Sequence, residues 1–551
     1  MDIDPKIIEL LHRRGIKTDE EIAEFLSDKP KETYDPFLLP DMEEGVDLIL
    51  SACDNGEKIC IYGDYDADGV TSTVIMTEVL SQLTDNIIQY IPSRFDEGYG
   101  LNKNAIDTIR KAGADLIITV DCGSVSVDEV EYAKSLGMDI MITDHHRIED
   151  KQADTILINP ARKDSQYPFS YLAGCGVAFK VAQALTDAAG LPKSKLTEML
   201  DLVALGTIGD IVPLVSENRM LVKYGLRTIN TSRRNALKVL IEKTGLKPGQ
   251  IKCENVSFVL VPHINAAGRM KSAALALKLF LAKDEDKMKQ YADELVACNA
   301  ERKKLQNEVF NRACSEVDSK YSDYDFLLVD LKDAHEGVAG IAAGKLREKY
   351  GVPSVIVTDN GDGMYKGTGR SPEGIDLYSL LKNEEEWFTN FGGHAAACGF
   401  TMKKEGLEAV RNDLNERAAE LRRDDPELFD REAEAELELE PEEVTTEFAS
   451  QLEMLEPCGR DNERPLVQVS GVPGRLSKMG AEGQFIRFAF DPYQGSGTCD
   501  CTFLMFRSAE KYGEVVTEAA GNGSRITVIG SMLNHEWNGR TSVQIVVEAV
   551  K

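Results

Sequence analysis

The central part of the chain alternates short runs of apolar, β-branched residues with longer amphipathic stretches. The runs read ICIY, NIIQYIP, DLIITV, DIMITD and TILINP, and each is flanked by Gly, Asp or Asn. Near-continuous apolar strands separated by helices are typical of a parallel sheet that is covered on both faces. The pattern therefore predicts a doubly wound α/β domain, which we place at residues 46–215.

The same pattern divides the rest of the chain into four further parts. Residues 1–45 contain helical stretches, and residues 216–320 are helix-rich and end in one long amphipathic helix, a rigid connector. The runs DFLLVD and PSVIVTD and the glycine-rich FGGHAAACGF predict a second α/β unit over residues 321–425. About five strand-like runs with turn signals predict a small OB-like β-barrel over residues 426–551.

Polar side chains follow several predicted strands at the point where each strand ends. Those positions, with one more near the end of a later helical stretch, are Asp64, Asp66, Asp68, Arg94, Asp121, Asp144, His145, His146 and Asp210. Ligand sites of open α/β sheets lie beyond the carboxyl ends of the strands, so we expect these side chains to meet in one crevice. Carboxylates packed closely raise one another's pKa unless a cation lies among them, and the cluster therefore predicts a metal site.

Three other interpretations fit the aspartates less well. An EF-hand loop needs Glu six residues beyond its glycine, but Ile75 holds that position and a strand precedes the loop. A haloacid-dehalogenase-type phosphatase has its first aspartate directly after the apolar run, whereas three residues separate the run from Asp66 here. A solvated acidic loop does not explain why two of the seven histidines stand side by side at an equivalent strand end.

The ligand types indicate which ion and which chemistry to expect. Mixed carboxylate and imidazole ligands suit Mn²⁺, with Mg²⁺ as an alternative occupant. Five or six candidate ligands, one of them able to bridge, favour a site for two ions. Such a site activates a water for attack on phosphorus, so the sequence predicts a phosphoesterase.

Composition indicates where a nucleic acid can bind and in which compartment the protein acts. The net charge of −30 argues against a surface coated with phosphate-binding residues, so a nucleic acid must bind in a local basic groove, to which ERKKLQ, GKLREKYG and YGLRTINTSRRNALK offer cations. The eleven cysteines include no C-x-x-C pair and predict reduced thiols rather than zinc ligands or disulfides. No apolar run approaches the roughly 20 residues of a membrane helix, and no signal peptide is evident at the start. We therefore expect a cytoplasmic protein without membrane contact.

Several motifs resemble a known family. DYDADG, VDCG, DHH and GTIGDIVPL resemble, in order and spacing, the four motifs of the DHH phosphoesterase superfamily, and FGGHAAACGF resembles the glycine-rich motif of its DHH-associated domain. Within the superfamily the chain is most similar to the RecJ family of single-strand-specific 5′→3′ DNA exonucleases. SRFDEGYGL, LAGCGVAFK, INAAGRM, AHEGVAGIAAGKL, GRSPEGIDLY, LEPCGRDNERPL and the tail NHEWNGRTSVQI extend the likeness over nearly the whole chain.

The resemblance implies a role for each matching residue. The implied metal ligands are Asp66, Asp68, Asp121 as the bridge, His145 and Asp210, with Asp64 as a further ligand or a supporting carboxylate. His146 would hydrogen-bond a phosphate oxygen, and Asp144 would orient its neighbours. The residues implied to contact the 5′-terminal phosphate or the DNA backbone are Arg94, Arg269, Arg370, Ser371, Gly392, Gly393 and His394. Taken alone, each arginine also fits a surface ion pair, and GGH also fits a tight turn of small residues.

The implied activity is hydrolysis of single-stranded DNA to 5′-mononucleotides in recombination and repair, with two Mn²⁺ or Mg²⁺ ions as cofactor. The resemblance leaves open a helicase and a single-strand-binding protein as partners. Relatives that hydrolyse RNA or short oligonucleotides, and replisome-associated proteins without nuclease activity, are the alternatives. All four metal motifs are intact, which disfavours a protein without nuclease activity. Tyr62 stands where the oligonucleotide and cyclic-dinucleotide phosphodiesterases normally have histidine, which disfavours that class, and the choice between DNA and RNA stays open.

Overall fold

The computed structural model describes most of the chain, namely residues 3–27, 33–95, 97–98, 100–148, 151–231, 233–359, 363–430, 432–480, 482–493 and 499–551. Two compact units are present. The larger unit comprises Asp35–Asp210 and Arg227–Arg431, and the smaller comprises Met1–Tyr34, Ile211–Leu226 and Glu432–Lys551.

The α-helices are, in chain order, α1 (Pro5–Arg13), α2 (Asp19–Leu26), α3 (Met42–Asp54), α4 (Ala67–Leu80), α5 (Lys103–Lys111), α6 (Val127–Ser135), α7 (Gly174–Ala189), α8 (Ser194–Gly209), α9 (Ser216–Thr231), α10 (Asn235–Lys243), α11 (Cys253–Asn255), α12 (Val261–Met270), α13 (Ala274–Leu281), α14 (Glu285–Lys320), α15 (Glu336–Tyr350), α16 (Leu377–Lys382), α17 (Leu407–Asp424), α18 (Thr446–Glu453) and α19 (Ser508–Asn522). A π-helical turn, Val256–Leu260, joins α11 to α12.

The first sheet of the larger unit has five parallel strands in the order β2-β1-β3-β4-β5. They are β1 (Ile59–Tyr62), β2 (Ile87–Tyr90), β3 (Leu116–Val120), β4 (Asp139–Thr143) and β5 (Ile156–Ile158). Every residue of β1 and β3 is buried, which explains their uninterrupted apolar runs. The chain adds strands on opposite sides of β1, so the crevice beyond the carboxyl ends of β1 and β3 is the topological switch point. The predicted doubly wound domain is confirmed.

A second sheet of the same unit has the order β6-β7-β8-β10-β9. Its strands are β6 (Leu327–Asp330), β7 (Ser354–Asp359), β8 (Met364–Arg370), β9 (Phe388–His394) and β10 (Ala397–Lys403). The glycine-rich FGGHAAACGF forms the β9–β10 hairpin. The predicted long helix is α14, whose 36 residues span about 54 Å at 1.5 Å per residue. Its Val309, Ala313 and Val317 pack into the core of this second sheet.

The smaller unit is built on a seven-stranded sheet with the order β11-β12-β16-β17-β15-β14-β13. The strands are β11 (Leu437–Leu439), β12 (Leu466–Gly471), β13 (Ser477–Met479), β14 (Phe485–Phe488), β15 (Cys501–Met505), β16 (Ile526–Trp537) and β17 (Arg540–Val550). The sequence pattern indicates only about five strands, and the short β13, with the sequence SKM, carries little apolar signal. Ile7, Leu10 and Leu11 of α1 lie in the core beneath this sheet.

Two further expectations concern cysteines and the membrane. All eleven cysteines are free thiols, as predicted. Within the described ranges, no helix is both long enough and apolar enough to cross a membrane.

Candidate metal centre and phosphate site

The three aspartates of DYDADG form the turn that leads from β1 into α4. Asp66 caps α4, because its carboxylate accepts hydrogen bonds from the backbone amides of Asp68 and Gly69 at 2.9 and 3.1 Å. Asp64 and Asp68 are buried, with 3% and 1% of their surfaces exposed. The alternate spacing of the aspartates therefore places one carboxylate before the helix, one at its cap and one in its first turn.

The amino-terminal end of α7 holds Asp68. The backbone amides of Gly174 and Cys175 donate to its two carboxylate oxygens at 2.6 and 2.8 Å. The first amides of a helix are strong partners for an anion. A Cβ atom on Gly174 would lie 2.5 Å from Oδ1 of Asp121, so only a glycine fits where α7 meets the cluster.

Asp121 follows β3 and lies at the centre of the cluster. It is buried and has a left-handed backbone conformation, with φ at +63°. Burial, and then the charges of the neighbouring aspartates, raise the pKa of Asp121 and of Asp64 well above the ordinary value. Oδ1 of each side chain is buried and forms no hydrogen bond. Buried oxygens of this kind are what a cation would pair.

The DHH segment follows β4, and Asp144 organises it. The Asp144 carboxylate accepts hydrogen bonds from the backbone amides of Ser124, His145 and His146, and its Oδ1 lies 2.7 Å from Nδ1 of His146. Burial alone would raise the pKa of Asp144, but the charge and hydrogen bond of His146 outweigh it and lower the pKa. Burial alone would lower the pKa of His146, but Asp144 raises it to about 9. His146 therefore carries a proton at neutral pH.

His145 points into the carboxylates. Its Nε2 atom lies 3.1 Å from Oδ1 of Asp121, 3.5 Å from Oδ2 of Asp210 and 3.9 Å from Oδ2 of Asp68. Nε2 forms no hydrogen bond, and the ring bonds the backbone of Leu172 through its other nitrogen. Burial, and then the charge of His146, lower the pKa of His145, so the ring is neutral and directs a lone pair at the carboxylates.

These side chains fit divalent cations. Three groups of side chains place one ligand atom each within 4.8 Å of the others: Asp121 with Asp144, His145 and His146; Asp68 with His145 and Asp210; and Asp64 with Asp66 and Asp121. The second and third groups share no residue. Buried oxygens and an imidazole nitrogen without partners, surrounded by like charges, favour occupation by ions rather than by internal hydrogen bonds.

Three arginines form a second part of the site. Burial, followed by the positive charges of Arg94 and Arg370, lowers the pKa of Arg269 to about 9. Burial and the charge of Arg94 likewise lower the pKa of Arg370. The guanidinium of Arg94 lies 5.0 Å from the ring centre of Tyr65. Tyr65 stands between Asp64 and Asp66 in the sequence. No ion pair joins any of the three arginines to a described carboxylate, so together they form a site for an anion.

The remaining predicted contact residues lie around the β9–β10 hairpin. Ser371 follows Arg370 directly, and its buried hydroxyl oxygen has no hydrogen-bond partner. Gly393 has a φ of +142°, and a Cβ there would lie 2.4 Å from the carbonyl oxygen of Ala397, whereas Gly392 borders open space. His394 is exposed at the end of β9 and belongs to none of the three ligand groups. The structure therefore places Ser371 next to Arg370 in the chain and His394 on the exposed β9–β10 hairpin.

Sequence reasoning misses some of the groups that support the site. The amides of Gly174 and Cys175, the amide of Ser124 and the backbone of Leu172 all hold side chains of the acidic cluster in place. The family likeness of LAGCG, residues 172–176, is the one signal in the sequence that points to them. Every residue except proline has the same backbone amide, so the sequence does not show which side chain a given amide will contact.

Comparisons with known proteins match every part of this architecture. The family models matched are the DHH family N-terminal domain over residues 58–207, the DHHA1 domain over residues 323–420 and the RecJ OB domain over residues 435–549. The single-stranded-DNA-specific exonuclease RecJ of Bacillus subtilis (strain 168) is 37% identical over 551 residues, which cover 100% of this chain and 68% of that protein.

Two solved structures are also similar. They are crystal structures of RecJ from Thermus thermophilus in complex with Mn²⁺ and with Mg²⁺, with TM-scores of 0.81 and 0.76. Each is 27% identical to this chain and covers 100% of it, and the match spans 76% and 75% of those chains.

Proposed function

Because the chain belongs to the RecJ family of single-stranded-DNA-specific exonucleases, we propose that it degrades single-stranded DNA stepwise from the 5′ end, releasing 5′-mononucleotides. The reaction is hydrolysis of a phosphodiester, and the cofactor is Mn²⁺ or Mg²⁺, the ions of the two Thermus thermophilus RecJ structures. We propose that the enzyme acts in DNA recombination and repair.

The observation that carries the proposal is the closeness of the acidic cluster to the three arginines. The charge of Arg94 contributes to the pKa of Asp64, and that of Asp66 contributes to the pKa of Arg269. An anion-binding site beside a hydrolytic centre can hold the terminal phosphate of a strand. The first phosphodiester of that strand would then lie at the carboxylates, which is the arrangement that an exonuclease needs.

The proposed ligands of the two ions are Asp64, Asp66, Asp68, Asp121, His145 and Asp210. At these residues, bound ions would supply activation of a water and compensation of the charge that develops on phosphorus. The chain's own contribution is to fix these ligands: amides of α7 hold Asp68, and the backbone at Leu172 orients the His145 ring. Two ligand groups without a common residue favour two ions over one.

His146 supplies a charged hydrogen bond. Asp144 holds its Nδ1 at 2.7 Å, so the ring would donate to a phosphate oxygen through Nε2. The hydrogen bond to the Asp144 carboxylate favours the charged form of the ring. A charged donor aimed at an oxygen that gains negative charge stabilises the transition state more than the ground state.

The arginines and Ser371 select the strand end. Arg269 and Arg370 donate to the backbone carbonyls of Gly337 and Gly369, which holds each fork in one orientation. The Ser371 hydroxyl has no partner within the described structure and can donate to a phosphate oxygen. We place Gly392, Gly393 and His394 along the backbone of the bound strand, where an exposed hairpin and a histidine suit a phosphate.

A DNA substrate places the protein in the compartment that holds the DNA, and we therefore propose a cytoplasmic location. A helicase that exposes single strands and a single-strand-binding protein that coats them are proposed partners on the same ground.

A time course with Mn²⁺ tests the proposal on single-stranded DNA labelled at the 5′ or the 3′ end, with an RNA strand, a dinucleotide and duplex DNA alongside. The proposal predicts immediate mononucleotide release from the 5′ label and a descending ladder from the 3′ label. If only RNA or the dinucleotide is cleaved, the protein is a phosphodiesterase with the same reaction but a different substrate. No cleavage of any strand would contradict the enzyme assignment and favour a replisome-associated role.

A further inference from the structure

Arg302 is a nearly buried cation without an acidic partner. It lies on α14, and 9% of its surface is exposed. No described carboxylate forms an ion pair with it, although the chain has 93 acidic residues against 63 lysines and arginines. Removing a guanidinium from water costs free energy, and an arginine in this position is normally paired.

Two amide side chains hold the Arg302 guanidinium from the same helix. Its Nε donates to Oδ1 of Asn299 at 2.9 Å, and its Nη1 donates to Oε1 of Gln306 at 2.7 Å. Both amides are buried. They satisfy two of the nitrogens and fix the plane of the fork, but a neutral amide does not balance its charge.

A further histidine anchors this arrangement to α12. The Nδ2 atom of Asn299 lies 3.0 Å from Nε2 of His263, and Nδ1 of His263 lies 2.7 Å from the carbonyl oxygen of Val259. His263 therefore donates through Nδ1 and accepts through Nε2, which requires a neutral ring, and burial lowers the pKa of His263 accordingly. Arg302 is thus positioned by a continuous chain of hydrogen bonds.

The third nitrogen of Arg302 is available to a ligand. Nη2 donates to no described group, and it is not among the fully buried atoms that lack a partner, so it keeps contact with solvent. Two amides orient the guanidinium, and its Nη2 atom faces solvent. This geometry suits one oxygen of an oxyanion, because a charged N–H donor held in one orientation is a favourable partner for it.

The position of Arg302 points to the substrate strand. His263 lies six residues before Arg269 on α12, which is about 9 Å along the helix axis. The charge of Arg302 adds to the charges of Arg94 and Arg370 in lowering the pKa of Arg269. Arg302 does not affect Arg370 in the same way. Arg302 therefore adds a further cation near Arg269, on a helix that the hydrogen bond between Asn299 and His263 joins to α12.

We propose that Arg302 binds a backbone phosphate of single-stranded DNA, other than the terminal phosphate assigned to Arg94, Arg269 and Arg370. This inference rests on the proposed function, because it takes the same strand as the ligand. The Arg302 contact would be a second point at which the strand is held, and a mononucleotide would be too short to reach it.

Binding of a 5′-phosphorylated, dye-labelled oligonucleotide to the full chain, in chelator so that no cleavage occurs, tests the inference. The dissociation constant is measured from low to moderate salt for the wild type, Arg302→Met and Arg302→Lys. Loss of one phosphate contact lowers the slope of log Kd against log salt by about 0.7 for a single strand. We expect this decrease, with weaker binding at low salt, for Arg302→Met, and a slope close to that of the wild type for Arg302→Lys.

The matched control is Arg312→Met. Arg312 lies on the same helix but is exposed and paired with Asp333, so its loss should leave the slope unchanged. A structural role for Arg302 would change the unfolding temperature without changing the salt slope. If Arg302→Met does not fold, Arg302→Gln removes the charge while keeping a side chain that can bond the two amides, and it takes the same test.

The outcomes separate the two proposals. A wild-type chain that neither binds nor cleaves single-stranded DNA would overturn the proposed function. A wild-type chain that binds the strand, together with folded charge-removing variants that keep its slope and affinity, would overturn the role of Arg302 alone.

Discussion

Nε2 of His145 and Oδ1 of Asp121 lie 3.1 Å apart, and neither atom forms a hydrogen bond. A buried nitrogen and a buried oxygen at this distance would normally be bonded to each other. Here both atoms point into the space between the neighbouring carboxylates, where a metal ion would bind. The fold thus keeps an arrangement that costs stability in the absence of ions, as binding sites commonly do.

The first prediction concerns that cost. Asp121→Asn removes a buried carboxyl group whose ionised form is disfavoured by burial and by the neighbouring aspartates, and it should raise the stability of the chelator-treated protein by about 1–2 kcal/mol, on the scale of ordinary single substitutions. The measurement is the midpoint of thermal unfolding without metal. Asp128→Asn, at an exposed position, is the control and should not change it. A lower midpoint for Asp121→Asn would show that the carboxylate stabilises the empty site.

A second prediction uses two glycines of α7. Gly174→Ala would place a Cβ 2.5 Å from Oδ1 of Asp121, whereas Gly176→Ala would place one 3.4 Å from the Leu172 side chain. We expect Gly174→Ala to reduce the hydrolysis rate by about 100-fold or more, because a ligand is displaced. Gly176→Ala should keep full activity and gain up to about 1 kcal/mol of stability. Equal rates for the two variants would argue that α7 does not position the cluster.

Recognition of the strand end gives a third prediction. Arg370→Lys keeps the charge but loses the planar fork, so it should reduce the preference for a 5′-phosphorylated over a 5′-hydroxyl strand by about tenfold in kcat/KM. Arg417→Lys, which alters an arginine paired with Asp413, should not change the ratio. If Arg370→Lys reduces the rates on both strands equally, Arg370 binds some other part of the substrate.

The strand-end positions of Asp64, Asp121 and Asp144 could be predicted because the carboxyl ends of neighbouring parallel strands meet at one edge of a sheet. The amides that hold Asp68 could not, since they come from Gly174 and Cys175, which lie 106 and 107 residues later in the chain. A local pattern contains no record of such a contact.

Two other features show the same limit. Gly392 and Gly393 are identical in type, but Gly393 alone adopts the left-handed region that requires a glycine. The apolar face of α1 is visible in the sequence, whereas its packing beneath the sheet of the smaller unit is not. Periodicity reports that a face will be buried but not which element will bury it.

A fourth prediction concerns pH and lies away from the metal residues. Burial, and then a hydrogen bond from its carboxyl group to Asp413, raise the pKa of Glu384 to about 7. A raised carboxyl pKa stabilises the fold fully below the unfolded value of about 4.5, and this stabilisation is lost as pH rises through about 7. Glu384→Gln mimics the protonated form at every pH.

The Gln variant should therefore unfold at the same temperature as the wild type near pH 4.5 and at a higher temperature at pH 8. The measurement is calorimetric unfolding of both proteins across this range. Parallel curves at all pH values would contradict a shared proton between Glu384 and Asp413.

The most direct test of the whole account is the initial rate of mononucleotide release from single-stranded DNA by the wild type and by Asp121→Asn, at saturating Mn²⁺. We expect steady release by the wild type and a rate at least about 1,000-fold lower for the variant, because a ligand central to the cluster is lost. A variant that releases mononucleotides within about tenfold of the wild-type rate would contradict the assignment of catalysis to this cluster.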